Sequence, residues 1–253
     1  MSSTWRRPGR AGALLYAVLA GVLGSVVTVF SRVQVERQRG REVIAATLPA
    51  GPIIVIANHT SYADGVLLAL VCRRHGRSLR LLATAGLFRA PLIGRIARKL
   101  GFIAVHRGTS SAAASLDEAV EALAAGEAIG LFPEGRLTRH PDRWPERAKT
   151  GAVRLALRSD APIVPIAIEG AHRLVGRKRI VQTLLGNIVR RPKVATKVGT
   201  PVHVRHLLGL AIGGEASSEQ VRQAADVVMA QLVGLVEDLR GEVAPHPLGA
   251  PID

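Results

Sequence analysis

Ile53-Ile54-Val55-Ile56-Ala57-Asn58-His59-Thr60-Ser61-Tyr62-Ala63-Asp64 is the stretch on which the reading of the fold turns. Pro49, Gly51 and Pro52 punctuate the chain just before it. The five residues Ile53 to Ala57 then form a short apolar run, the pattern of a buried strand. A polar loop follows, and Gly65 to Arg74 reads as a helix.

Working outward, the same alternation recurs. Strands are expected at Arg80–Ala83, Phe102–Val105, Ala128–Phe132 and Ile163–Ile168. Helices are expected at Pro91–Leu100, Ser115–Ala125 and Gly151–Arg158. Short apolar strands alternating with helices indicate an α/β domain with a mostly parallel central sheet flanked by helices. Lys193–Val198 and Val202–Arg205 are expected to add peripheral strands. Ser217 with Gln220 gives a capping-box pattern ahead of a helix running to about Arg240. The Pro- and Gly-rich tail, Gly241 to Asp253, is expected to be disordered. The chain thus divides into a segment 1–48, an α/β domain 49–240 and a tail 241–253.

Within the first segment, Ala11 to Phe30 is twenty residues without a charge, about the length a spanning helix needs. Arg6, Arg7 and Arg10 precede it, and Arg32, Arg37 and Arg39 follow, so basic residues flank both ends and give no orientation. A signal peptide, a simple span and a leaflet-embedded helix all fit this run. A signal peptide is disfavoured by the long apolar stretch and the lack of a clean small-residue cleavage site. An N-terminal membrane-associated helix is the expectation, with its geometry open.

The formal net charge is +15, and its distribution says more than its sum. Gly65 to Leu116 holds nine Lys/Arg and no acid; Gly170 to Gly214 again holds nine and no acid. Such faces attract polyanions, either nucleic acid or an anionic lipid surface. Aromatics are only 3% of residues, with no basic-aromatic interleaving, which argues against single-stranded nucleic acid. The expected partners are anionic membrane lipids and no nucleic acid. Pro91–Leu100 interleaves Ile and Leu with Arg95, Arg98 and Lys99, a pattern suited to an anionic bilayer and equally to a solvated helix face. The single cysteine, Cys72, permits no internal disulfide, and no Cys/His cluster has zinc spacing. No metal or bound redox cofactor is implied.

His59 and Asp64 are five residues apart. On one continuous helix they would point about 140° apart. They meet only if His59 stands on the loop and Asp64 at the helix N-terminus, where Asp is also a good cap. One ring nitrogen then faces the carboxylate and the other is free to take a proton. No G-x-S-x-G elbow supplies a nucleophile. A His–Asp dyad without its own nucleophile fits direct activation of a substrate hydroxyl. Taken alone, H-x₄-D recurs by chance and reads as a histidine capping a turn.

Three further blocks follow in order. Gly101-Phe102-Ile103-Ala104-Val105-His106-Arg107 is a strand ending in arginine, Phe132-Pro133-Glu134-Gly135 comes next, and Ala161-Pro162-Ile163-Val164-Pro165-Ile166 closes the set. With Asn58–Asp64, they resemble the four blocks of the glycerolipid acyltransferase family, notably 1-acylglycerol-3-phosphate acyltransferases. The resemblance runs from Pro52 to Ile168. It implies transfer of an acyl group from a thioester, acyl-CoA or acyl carrier protein, to the free hydroxyl of lysophosphatidic acid at the cytoplasmic face of the cell membrane. It implies His59 as general base, oriented by Asp64. It also implies Arg107 as a phosphate ligand, with Glu134 and Gly135 positioning the acceptor and Glu134 bonding a glycerol hydroxyl. In the third block the family usually has arginine three residues after the glutamate. Leu137 stands there instead, so Arg136, Arg139 or Lys149 takes over. The stretch Glu134–Leu157 resembles the variant of actinobacterial members.

Other acceptors fit the altered block: another lysophospholipid, glycerol 3-phosphate or a glycolipid. Two readings from other classes compete. A lipid esterase needs a framed serine nucleophile. A non-enzymatic protein binding membrane or nucleic acid would leave His59 structural.

Overall fold

A computed structural model describes residues 5–36, 48–106, 111–176, 180–211 and 213–245. Its helices are α1 (Arg10–Phe30), α2 (Asp64–Arg74), α3 (Ala85–Arg89), α4 (Pro91–Lys99), α5 (Ser111–Ala124), α6 (Gly151–Ser159), α7 (Ala171–Leu174), α8 (Ile180–Arg190), α9 (Val204–Leu207) and α10 (Ser218–Arg240). Its strands are β1 (Arg32–Glu36), β2 (Ile53–Ala57), β3 (Leu79–Thr84), β4 (Ile103–Val105), β5 (Ala128–Leu131), β6 (Ile163–Glu169) and β7 (Lys193–Val198).

The strands form one seven-stranded sheet in the order β1-β7-β6-β2-β5-β3-β4. Every pairing is parallel except β6 with β7. The mostly parallel sheet and its flanking helices are as expected. Helices cover both faces, so β2 is buried along its whole length and reads as a continuous apolar run rather than an alternating one. Ile54 and Ile56 pack with residues of α5, α6 and α10, and Ile53, Val55 and Ala57 pack with residues of α2 and α7 on the other face. Each such fully buried Ile or Leu contributes roughly 1.5–3 kcal/mol of transfer free energy.

α10 starts with the expected box: Gln220 N–H donates to Ser217 Oγ, and Ser217 N–H donates to Gln220 Oε1. Gly241 closes it in the left-handed conformation. Residues 246–253 of the tail expected to be disordered lie outside the described residues.

Three features depart from the sequence reading. Val202–Arg205 is not a strand: Val202 alone bridges to Ile163, and the chain then turns into α9. Val204 and Leu208, one helical turn apart, both pack into the core there, and a turn of helix delivers both to the same side. Second, Arg32–Glu36, inside the segment set apart as 1–48, is an edge strand in register with β7. The N-terminal segment is thereby stitched into the domain. Tyr16 is buried and its hydroxyl accepts from Leu79 N–H at 3.0 Å. Arg7 reaches Glu127, which also pairs with buried Arg80. A buried carboxylate costs heavily without such partners. Third, α8 is an additional helix, packed against α1.

Candidate active site

β2 and β5 lie side by side in parallel, with Ile56 opposite Leu131. The loops leaving their carboxyl ends are therefore neighbours, the usual place for a ligand crevice in an open α/β sheet. His59 is two residues past β2, and Phe132-Pro133-Glu134 begins one residue past β5.

Asn58 braces this corner. Its Nδ2 donates to Ile168 O and its Oδ1 accepts from Ile168 N–H, both at 2.8 Å. The side chain thus stands in for a ladder pair just where β2 ends. Asn58 opens the first block, and its residue type and position alone assign it no task.

His59 Nδ1 lies 3.0 Å from Asp64 Oδ2. The loop-plus-N-terminus geometry is as expected, since Asp64 is the first residue of α2. The expected capping role is not what the carboxylate does. Oδ2 points backwards instead and accepts from Thr60 N–H at 2.6 Å and Ser61 N–H at 2.7 Å. Three donors thus converge on one oxygen, which fixes the loop as a tight turn around the carboxylate. Asp64 is wholly buried. Burial raises its pKa, against the opposing pull of the His59 hydrogen bond and charge. The His59 side chain is 20% exposed, and its ring stacks on Phe132 with centroids 4.0 Å apart and planes 13° apart. Among the described residues no hydrogen-bond partner is recorded for Nε2, so that nitrogen is free to meet a substrate.

The third block holds the histidine backbone. His59 N–H donates to Glu134 Oε1 at 2.9 Å, and His59 O accepts from Thr138 N–H at 2.8 Å. Glu134 Oε2 accepts from Glu146 N–H at 3.1 Å. Glu134 is thus a buried staple between the His59 loop and the 133–150 loop. Burial pushes its carboxyl up to about 8, helped by the neighbouring Glu146 and Asp64 charges and opposed by its two N–H donors. One backbone N–H on each oxygen takes up about two of the roughly four lone-pair sites of a carboxylate. Thr138, which no motif marks, is buried, and its hydroxyl donates to Trp144 O.

The candidate cations separate clearly. Arg136 is tied to Glu146 through Nε at 3.2 Å and Nη2 at 2.5 Å. Arg139 is exposed and offers Glu146 only its backbone N–H. Lys149 donates its backbone N–H to Pro133 O, and its exposed side chain runs past Gly135, with Cδ, Cε and Nζ all beside that glycine. Arg107 lies outside the described residues. Ser61 is fully buried: its hydroxyl donates to Val175 O and accepts from Ala63 N–H. Tyr62, by contrast, is 63% exposed in the loop just before α2.

Residues 32–169 match the acyltransferase family model. The chain is 29% identical over 154 residues to a chloroplastic 1-acyl-sn-glycerol-3-phosphate acyltransferase of Arabidopsis thaliana, over 60% of this chain and 40% of the relative. It is 26% identical over 202 residues to a lyso-ornithine lipid O-acyltransferase of Pseudomonas aeruginosa, over 76% and 72% respectively. The crystal structure of PlsC, the 1-acyl-sn-glycerophosphate acyltransferase of Thermotoga maritima, superposes with a TM-score of 0.64 at 25% identity, covering 95% of this chain and 86% of that one. The chain spans 35% to 40% of the length of the mycobacterial and Arabidopsis relatives it matches.

Proposed function

The chain belongs to the acyltransferase family, and on that premise we propose that it moves a fatty acyl group from a thioester to the free hydroxyl of lysophosphatidic acid, giving phosphatidic acid. The observation that carries this reading is the His59–Asp64 pair: an imidazole with one nitrogen engaged at 3.0 Å by a buried carboxylate and the other open. His59 Nε2 takes the hydroxyl proton as the alcohol oxygen attacks the thioester carbonyl carbon. Asp64 stabilises the imidazolium that forms. Collapse of the tetrahedral intermediate breaks the carbon–sulfur bond, and the imidazolium returns the proton to the departing thiolate. General-base help of this kind is worth ~10²–10⁴-fold.

Ser61 has no part as a nucleophile, since its hydroxyl is buried and engaged at both ends. That removes the support for an esterase. We assign the acceptor phosphate to Lys149 and Arg107, since Arg136 is neutralised by Glu146. We assign the acyl chain to a mainly apolar groove of about 440 Å³ between α1 and α2, lined by Ala20, Gly24, Leu67 and Leu70 together with Arg73 and Arg74. The donor, acyl-CoA or acyl carrier protein, is a cytoplasmic molecule, so we assign the site to the cytoplasmic face of the cell membrane.

A second acceptor is favoured by two observations. The Pseudomonas aeruginosa lyso-ornithine lipid O-acyltransferase aligns over most of both chains, and the usual third-block arginine is Leu137 here. The test is a labelled acyl-transfer assay of the purified chain with both donor types. The acceptors are lysophosphatidic acid, glycerol 3-phosphate and lyso-ornithine lipid. Phosphatidic acid formation that disappears in His59→Ala supports the proposal. Undiminished product from His59→Ala overturns the mechanism, and product only from lyso-ornithine lipid overturns the acceptor.

A further inference from the structure

The turn that carries His59 is held from outside at two consecutive residues. Asn58 is clamped to the backbone of Ile168 near the end of β6. His59 O accepts from Thr138 N–H, and the Thr138 hydroxyl donates to Trp144 O at 2.7 Å. These two anchors stand on different segments, and a single side chain from α10 joins them.

That side chain is Arg240, the last residue of α10. Its Nε donates to Glu169 Oε2 at 2.9 Å, and its Nη2 lies 2.9 Å from the same oxygen. Glu169 closes β6, one residue beyond the clamped Ile168. On the other side, Arg240 Nη1 donates to Asp142 O at 2.9 Å and Nη2 to Arg143 O at 3.2 Å. The face of the guanidinium covers the Trp144 ring, with Cζ 4.3 Å from the ring centroid.

Only 10% of the Arg240 side chain is exposed. A cation so nearly buried is costly unless it is paired and its donors are used. Here a carboxylate, two carbonyls and an indole take up its edges and one face together. A lysine ammonium, a point charge on a flexible stem, has no such fork. The loop is bent to meet the guanidinium. Arg143 holds φ at +61°, in the left-handed region that side-chain-bearing residues seldom adopt. Such a conformation persists where the surrounding contacts over-determine it.

We propose that Arg240 is a positioning residue for acyl transfer. By bridging the end of β6 to the loop that carries Thr138 and Trp144, it holds both anchors of the His59 turn in register. It acts through Glu169 and Trp144, not on the reacting atoms. The proposal rests on the reading of His59 as general base, and it gives α10 a task beyond packing.

Arg240→Gln in the full-length protein removes the fork and the charge. Well below the unfolding temperature, kcat for acyl transfer should fall by about one to two orders of magnitude, with KM for both substrates kept. Amide hydrogen exchange gives a readout independent of activity. The His59 and Thr138 N–H groups should exchange about tenfold faster or more, while β2 keeps its wild-type protection. Wild-type kcat, or wild-type exchange at both N–H groups, overturns the proposal. Arg240→Lys keeps a charge beside Glu169 without the fork and should recover only part of the lost kcat. Full recovery overturns the bridge.

Two controls separate positioning from general loosening. Asp238→Asn, two residues earlier on α10, loses the ion pair to Lys197 on β7 and should keep wild-type kcat. A matching fall there overturns the proposal. Should Arg240→Gln fail to fold, Glu169→Gln cuts the same bridge while keeping an acceptor oxygen. It should show both changes in smaller size, and neither change would again overturn the proposal. Faster exchange at Thr138 in Arg240→Gln, when His59→Ala keeps wild-type kcat, supports the bridge and counts against the general-base reading instead.

Discussion

Glu134 Oε1 accepts the backbone N–H of His59 at 2.9 Å, so the third block grips the first through the histidine main chain. The other oxygen holds Glu146 N–H, which makes the carboxylate a strut between two loops. A Gln there has only one acceptor oxygen and turns an N–H₂ toward one of these donors. Glu134→Gln should therefore loosen His59 and lower kcat by about 10²-fold, the scale of a small misplacement of a catalytic group. KM for donor and acceptor should move little. A rise in acceptor KM with kcat unchanged would instead make Glu134 a substrate ligand.

Asp64→Asn asks what the carboxylate contributes beyond geometry. An Asn oxygen can replace Oδ2 and still receive Thr60 N–H, Ser61 N–H and His59 Nδ1–H. The loop should survive, with the far-ultraviolet circular dichroism unchanged. The negative charge that stabilises the imidazolium is lost, so kcat should fall by about 10²–10⁴-fold. A variant that folds and keeps wild-type kcat would sink the dyad.

Much of this architecture was legible from residue patterns, and the exceptions have physical causes. β2 and β6 are apolar runs between turn residues, and α10 carries its own cap, so local chemistry sufficed for them. β1 is five residues of alternating polarity in a region dominated by the apolar run before it, and only its pairing with β7 makes it a strand. α8 follows the basic run Arg177–Arg179 and has no cap signature, and tertiary contact with α1 defines it. At the site, His59 and Asp64 stand out through their spacing together with the three further blocks, and they meet because the turn between them is local. The grip of Glu134 and Thr138 on the His59 backbone joins residues 75 or more apart and uses main-chain atoms, which no side-chain pattern encodes.

Lys149 and Arg136 should behave differently despite equal charge. Arg136 is occupied by Glu146, whereas the Lys149 ammonium lies beside Gly135 with no carboxylate recorded against it among the described residues. Lys149→Met should raise KM for a phosphate-bearing acceptor roughly tenfold, about the loss of one charge-assisted hydrogen bond. Donor KM should be unaffected. Arg136→Met should raise acceptor KM less than Lys149→Met. Steady-state kinetics with both substrates varied would reveal a reversed order, which would reassign the anion site.

Stability should fall toward both ends of the pH range, through two different residues. Burial lifts Glu134 from 4.5 to about 8. Between these values the folded chain holds a proton that the unfolded chain has released, so stability drops as pH rises from about 4.5 to about 8. His172 is shifted the other way, from 6.5 to about 4, by burial first and then by the Arg143 charge. There the unfolded chain takes the proton first, and stability drops as pH falls from about 6.5 to about 4. Melting temperatures across pH should show the alkaline slope reduced in Glu134→Gln and the acid slope reduced in His172→Gln. A difference from wild type that stays constant with pH would exclude either residue as the source.

Gly170 should be the least replaceable residue at the end of β6. It turns the chain from the strand into α7 with φ at +83°, in the left-handed region that costs a side-chain-bearing residue about 1–2 kcal/mol. A Cβ built there would also stand 2.2 Å from the Lys193 carbonyl oxygen, a backbone atom at the start of β7 that cannot swing aside. Relief would require β6 and β7 to move apart, and Asn58 is clamped to Ile168 only two residues earlier. Gly170→Ala should therefore lose more than the left-handed penalty alone, and should lower kcat as well through the strained Asn58 corner. Gly76, also at positive φ but in open space, serves as the control: Gly76→Ala carries only the backbone penalty. Chemical denaturation of the two variants side by side decides the matter, and equal losses would mean that the contact with Lys193 imposes no strain.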